Sequence, residues 1–222
     1  MKELKTASVV LMLLLAGCLS ARAQKDDFSI LYFYSSSCPP CDSVAPLIKN
    51  LNREFPVHGL ISGAGKSEDM PFKVEHTNEG MLLRYHVDRF PTLVVMMHDT
   101  VKQTIVGEQD IKDAGFVLRA FRRGAMSVSE VIAKKPWDGA VVAGWVVSKG
   151  EYFKDAKFYL TDRKNTILLR PWLPLEAVRS PWRKDRPRLM SDVVNRSVVL
   201  EGTLEKSGNE LHFTVIKEVS IE

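Results

Sequence analysis

Cysteine is scarce in this chain, three among 222 residues, and two of the three stand close together in Cys38-Pro39-Pro40-Cys41. Two thiols at that spacing, at the start of a helix, can close a disulfide across one turn, a geometry that suits thiol-disulfide exchange. The spacing also separates their roles. Cys38 falls where unpaired backbone N–H groups and the helix dipole favour a thiolate, while Cys41 lies one turn inside and is better shielded. Cys38 is therefore the expected nucleophile and Cys41 the resolving thiol. A zinc site would need about four ligands. The chain has no second CxxC, and His58, His76, His86, His98 and His212 show no helical pairing. A purely structural disulfide is the weaker reading too, because so short a loop closes little chain and stabilises little. No metal and no cofactor are expected, since the electrons pass through the sulfurs themselves.

The third cysteine belongs to a different signal. Lys2 and Lys5 precede an apolar run from Ala7 to Gly17, too short to span a bilayer comfortably, and small residues follow. This pattern reads as an export signal over residues 1–23. Two processing sites compete. Ala21-Arg22-Ala23 before Gln24 fits ordinary signal cleavage, whereas Leu15-Ala16-Gly17-Cys18 resembles the bacterial lipobox, whose cysteine is lipidated after cleavage. Either route leaves Cys38 and Cys41 as the only free thiols of the mature chain, in a compartment where disulfides form and exchange. The expected location is the periplasm, with the protein soluble or lipid-anchored to a membrane.

Composition narrows the classes further. Hydrophobic residues make up 45% and charged residues 26%, ordinary for about 200 mature residues in one or two domains. The net charge of +4 falls to +2 once residues 1–23 are set aside, so no strong pull toward nucleic acid or anionic lipid follows. Gly63-Ala64-Gly65-Lys66-Ser67 approaches a phosphate-binding loop, but the required first glycine is replaced by Leu60. It reads as a solvated loop.

The elements that must hold the cysteine pair can be read around it. Phe28 to Tyr34 is an apolar run suited to a buried strand, and Asp42 to Phe55 carries Val44, Leu47, Ile48 and Leu51 at helical spacing. Pro46 should kink this helix rather than end it, because the apolar face continues past it. Val57 to Ile61 reads as a second, parallel strand. Residues 62–76 read as a polar loop, and Thr77 as the cap of a short helix over Asn78 to Tyr85. Arg89-Phe90-Pro91-Thr92 then opens the apolar run Leu93 to Met97, a place that suits a cis peptide. Val101 to Val106 pairs back across an Asp99-Thr100 turn. Ile111, Gly115, Phe116, Val117, Leu118 and Phe121 give a last amphipathic helix ending near Gly124.

This constellation, CPPC after a buried strand, Pro46 inside the helix, Phe90-Pro91-Thr92 further on and Gly107 after the hairpin, resembles the thioredoxin fold over residues 26–124. The resemblance implies that Pro91 is cis and faces the disulfide, and that Phe90 offers backbone groups to a bound polypeptide. Phe90 and Pro91 thus join Pro39 and Pro40 as expected substrate-binding residues. Two positions depart from the family: Tyr32 stands where a buried aspartate serves as proton relay, and Ser37 replaces the tryptophan before the first cysteine. Neither Pro39 nor Pro40 has an N–H, so Cys38 has fewer donors at the helix start. Its pKa is expected near the thioredoxin value of about 7 rather than the strongly oxidising value of about 3.5, giving a modest reductant or isomerase. The run from Gly80 to Pro91, the preceding loop and the export signal are similar to thioredoxin-like proteins of bacterial conjugative transfer, the TraF and TrbB type.

Beyond a linker at residues 125–137, strands dominate. Val141 to Val147 is one, Ala156 to Thr161 and Thr166 to Leu169 form a hairpin, and Val198 to Leu204 and Leu211 to Val219 form another. Gly144-Trp145-Val146-Val147 and Val198 to Leu204 resemble an OB-fold, a small barrel over residues 138–222. Many such barrels bind single strands. Arg179, Arg183, Lys184, Arg186 and Arg188 cluster near Trp172 and Trp182, but residues 137–222 carry a net charge of only +2, and nucleic acid is not an expected partner. The expected fold is an α/β thioredoxin-like domain over residues 24–124 followed by a small all-β, OB-like barrel. The expected function is an exported thiol-disulfide oxidoreductase, reductase or isomerase. It acts on other exported cysteine-containing proteins and is reset by a redox partner. The alternative is a non-catalytic scaffold in a secretion or conjugation apparatus.

Overall fold

The computed structural model describes residues 27–64, 70–134, 139–149, 157–170 and 194–219. The expected export signal with Cys18, the loop at Lys66, the boundary at Lys135-Pro136 and the basic, tryptophan-bearing stretch around Arg179 to Arg188 lie outside the described residues.

Five strands, β1 (Phe28–Ser35), β2 (Val57–Ser62), β3 (Val74–His76), β4 (Thr92–Met97) and β5 (Thr100–Val106), form one sheet in the order β3-β2-β1-β4-β5. β1 pairs parallel with β2 and antiparallel with β4, so it is central and buried on both faces. Its two faces divide by alternation. Phe28, Ile30, Tyr32 and Tyr34 enter the main core, while Phe33 joins Leu60 and Val94 on the other side. Helix α1 (Pro39–Leu51) returns the chain from β1 to β2 and buries Val44, Ala45, Ile48 and Leu51 against the main-core face. Pro46 lies inside this helix with its ring exposed, and the helix continues beyond it.

Three local expectations need correction. Residues 62–76 are not all loop, because β3 pairs parallel with β2 at Gly59 to Ile61. Gly59 makes the room: a Cβ there would stand 3.0 Å from both Phe72 and Val74. The short helix α2 (Glu79–Arg84) is capped by Asn78, not Thr77, because the Asn78 carboxamide oxygen accepts from Met81 N at 2.9 Å. The last helix of the domain is two, α3 (Glu108–Lys112) and α4 (Ala114–Arg122), broken at Asp113.

The remaining strands form a second, all-β unit: β6 (Ala140–Lys149), β7 (Lys157–Thr161), β8 (Thr166–Arg170), β9 (Ser197–Ser207) and β10 (Glu210–Glu218). Their pairing closes a ring, β10-β8-β7-β6-β9, with β8 and β10 parallel and every other pair antiparallel. The tight curl has a glycine at its closest approach. A Cβ on Gly202 would meet Thr214 O at 2.2 Å and the Phe213 ring at 2.7 Å, so no larger residue fits without moving backbone. Helix α5 (Val128–Lys134) falls within the expected linker, and its Val128 and Val131 belong to the core of this ring. Ser127 and Glu130 form a reciprocal capping box at its start, Ser127 N donating to Glu130 Oε2 at 2.8 Å and Glu130 N to Ser127 Oγ at 3.3 Å.

The two units share one core. Ala143, Trp145 and Val199, on the outer face of the β-ring, cluster with Val117, Phe121 and Ala125 around α4. α4 is therefore covered by the sheet of the first unit on one side and by β6 and β9 on the other.

Candidate redox site

Cys38 and Cys41 are joined in a disulfide with Cα atoms 5.3 Å apart. Cys38 is the N-cap of α1, in extended conformation, with Pro39 and Pro40 as the first two helical residues. Helix starts normally present several free N–H groups, but neither proline has one. Only Cys41 N reaches the Cys38 sulfur, at 3.2 Å, and it is shared with Cys38 O at 2.8 Å. The next amide, of Asp42, turns to Cys38 O instead. Asp42, exposed in the same first turn, makes that turn acidic.

Exposure divides the pair. Cys38 is partly exposed beside exposed Pro39 and Pro40, whereas Cys41 is buried at 2%. Beneath Cys41 lie two stacked tyrosines of β1, Tyr32 and Tyr34, with ring centroids 4.8 Å apart. The Tyr32 hydroxyl donates to Cys41 O at 3.4 Å. Tyr32 is fully buried.

The Phe90-Pro91 peptide is cis. Thr92 pairs with Phe33, so Pro91, one residue further, stands level with Tyr34 at the end of the sheet from which the cysteine loop leaves. Pro91 is buried and its carbonyl accepts from Gly107 N at 2.9 Å. Phe90, half-buried, packs against the cluster that contains Cys41, as Cys38 does. The structure thus brings Cys38, Cys41, Phe90 and Pro91 to one end of the sheet, with Pro39 and Pro40 on the rim. Among the described residues no three His, Cys, Asp or Glu side chains gather so as to hold a metal ion.

Residues 20–111 match the family model of TraF, the F plasmid transfer operon protein. Among solved structures the chain is similar to StoA from Bacillus subtilis, at 20% identity over 38% of this chain and 77% of that one, with a TM-score of 0.30. It is also similar to the pneumococcal exposed lipoprotein thioredoxin Etrx1 from Streptococcus pneumoniae, at 20% identity over 36% and 74%, TM-score 0.31. The N-terminal domain of PilB from N. meningitidis matches at 14% identity over 43% and 81%, TM-score 0.35. No curated protein sequence matches the chain. The first unit is thioredoxin-like, as its strand order, its CPPC helix start and its cis-proline already indicate.

A second polar centre was not singled out from the sequence. Asp162, buried at 3% in the β7–β8 turn, accepts from Ser129 N (2.6 Å), Ser129 Oγ (2.5 Å), Asn165 N (2.7 Å) and Lys164 N (3.1 Å). Its own carbonyl accepts from Gln103 of β5 at 2.7 Å. Arg163 reaches back to Asp110 of α3 with two bonds, at 2.8 and 2.6 Å. Lys102 of β5 pairs with Glu130 of α5 at 2.5 Å. Burial opposes the charge on Glu130, but the Lys102 ammonium and the Ser127 N–H outweigh it, so its carboxyl lies below the usual carboxylate range. One signal for this seam was legible: Ser127 followed by Glu130 is a capping-box spacing. The contacts of Gln103 and Asp162, 59 residues apart, had none.

Proposed function

We propose that this protein is an exported thiol-disulfide oxidoreductase of reductase or isomerase type that exchanges disulfides with other exported proteins. Cys38 is the nucleophile and Cys41 the resolving thiol. Phe90 and Pro91, with the rim of Pro39 and Pro40, receive the partner's polypeptide. The observation that carries this reading is the disulfide at a helix start, half open at Cys38 and closed at Cys41, at the end of the sheet that also carries a cis-proline. A buried pair on both sides would be a structural bridge. Here one sulfur is accessible to attack and the other is placed behind it.

The direction follows from the donors. A strongly oxidising pair needs a thiolate held by several N–H groups and a positive field. Cys38 has a single backbone donor and an acidic first turn, which favours the dithiol less steeply and supports donation or shuffling of electrons. The export signal and the match to a conjugative transfer family support work in the periplasm, soluble or lipid-anchored through Cys18. A redox partner then resets the pair. The strand order of the second unit, in which its third and fifth strands run parallel, supports an OB-like barrel. Its burial against α4 supports a role in fixing the redox unit rather than in binding nucleic acid.

The test is covalent capture. A Cys41→Ser variant, exported in its host, is expected to retain cysteine-containing partners through Cys38, released by reductant. If the Cys38→Ser, Cys41→Ser double variant sustains the protein's full cellular role, the scaffold reading replaces the enzyme.

A further inference from the structure

We propose that Arg163, in the turn between β7 and β8 of the second unit, is a positioning residue for the candidate redox site: its grip on α3 fixes the segment that fastens Pro91. This rests on the reading above in which Phe90 and Pro91 receive a partner's polypeptide, and it names what holds that surface in place.

The Pro91 carbonyl is fastened by Gly107 N, which donates to it at 2.9 Å. Gly107 is the single residue between the end of β5 at Val106 and the start of α3 at Glu108, and its φ of +88° lies where glycine is favoured. So soft a joint takes its orientation from the elements on either side of it, and the β7–β8 turn touches both. On the β5 side the Asp162 carbonyl accepts from Gln103 Nε2 at 2.7 Å. On the α3 side the Arg163 guanidinium donates to both oxygens of Asp110, from Nε to Oδ2 at 2.8 Å and from Nη2 to Oδ1 at 2.6 Å. Two parallel bonds of this kind fix orientation as well as distance. The Asp110 side chain is only 14% exposed, so the pair is better shielded from water than a surface ion pair. α3 needs such an external hold. It has five residues, too few to persist as a helix by themselves, and it buries Ile111. An apolar anchor of that kind limits depth but leaves the helix free to turn about it.

The backbone at Arg163 argues in the same direction. Its φ is +70°, a region that a long side chain adopts only at a cost. Glycine or asparagine would fill the position with less strain. The surrounding turn holds the arginine there nonetheless. Thr161 Oγ1 accepts from Arg163 N at 2.9 Å, and the Asp162 carboxylate accepts from Lys164 N and Asn165 N. Asp162 is in turn fixed to α5 through Ser129. The guanidinium, 5.8 Å from the centre of the Trp145 ring, is thereby held on a rigid mount against α3. The second unit thus reaches Pro91 through the short segment from Gly107 to Asp110.

Single-turnover reaction of the reduced full chain with insulin, a polypeptide disulfide, tests this beside the same reaction with oxidised glutathione, a small one. A Cys18→Ala background leaves two thiols, and acid quenching with alkylation reads their loss. In each reaction the dithiol passes two electrons to the disulfide and closes its own bridge, so no further reagent enters. Two variants open the same interaction from opposite ends: Arg163→Gly, which also relieves the backbone at that position, and Asp110→Ala. Each is expected to raise the half-saturating insulin concentration about fivefold or more. The limiting rate and the glutathione reaction stay unchanged, the signature of lost binding rather than lost chemistry. The double variant is expected to match the singles, because each already breaks the one interaction. Three results overturn the inference while leaving the exchange reading intact: a half-saturating concentration within about twofold of the parent, equal losses with insulin and glutathione, or rises that multiply in the double variant. A parent protein that reacts with neither disulfide removes both.

Discussion

The Cys38 sulfur and the Asp162 carboxylate occupy opposite extremes of polar satisfaction in this molecule. Asp162 is buried and accepts four donors, while the Cys38 sulfur is half open and has one, from Cys41 N. A group whose work is to hold geometry gains from every donor it can collect, because an unsatisfied buried acceptor costs about 1–3 kcal/mol. A group whose work is to react needs only enough donors to populate its thiolate, because each further donor lowers the pKa and with it the nucleophilicity of the sulfur. The seam between the units is built for rigidity, and the helix start is stripped by two prolines.

Breaking each side of that contrast should give effects of different kinds and sizes. Cys38→Ser should reduce exchange with a peptide disulfide to the uncatalysed background, read by loss of partner disulfide, with no change in thermal stability beyond that of opening the bridge. Asp162→Ala should leave exchange chemistry in place but cost about 3 kcal/mol in denaturant unfolding, because Ser129, Lys164 and Asn165 all lose their acceptor. Separate unfolding of the two units in that variant would show that the seam holds them together.

The smaller effects sharpen the comparison. Asp42→Asn removes the negative charge from the first turn of α1 and should lower the Cys38 thiolate midpoint by a few tenths of a unit, measured by ultraviolet absorbance against pH, at a stability cost of about 0.5 kcal/mol. Glu130 has the opposite setting. Its carboxyl is held below the ordinary range in the folded protein, so the stability it contributes is present above the unfolded value near 4.5 and fades as pH falls through the lower folded value. Acid unfolding of Glu130→Gln should therefore be less steep in that window, with little difference in the slope near neutrality.

What the sequence disclosed follows from how local each feature is. The CPPC start, the buried strand before it, the amphipathic face across Pro46 and the Phe90-Pro91 turn are written in runs of a few residues, and they define the first unit and the candidate redox site. The five strands of the second unit were equally visible from their apolar runs. Their closure into a small barrel was expected from the number of short strands, but the pairing that closes it was not legible, because it joins β8 parallel to β10 across the chain from Leu168 to His212. β3 escaped because three residues are too few for alternation to register, and its place depends on the space that Gly59 leaves for Phe72. The split between α3 and α4 is a backbone break at Asp113 inside one continuous apolar pattern. The Asp162 seam escaped for a different reason: each of its groups looks like an ordinary turn or surface residue until the units meet.

The account depends on the pair being redox-active and mildly reducing, and its reduction potential tests that most directly. Equilibration of the mature protein with glutathione buffers, read by thiol alkylation, is expected to give a value of about −200 to −270 mV. A potential above about −150 mV would make the pair a strong oxidant, and one below about −300 mV a structural bridge. Either would contradict the function assigned to Cys38 and Cys41.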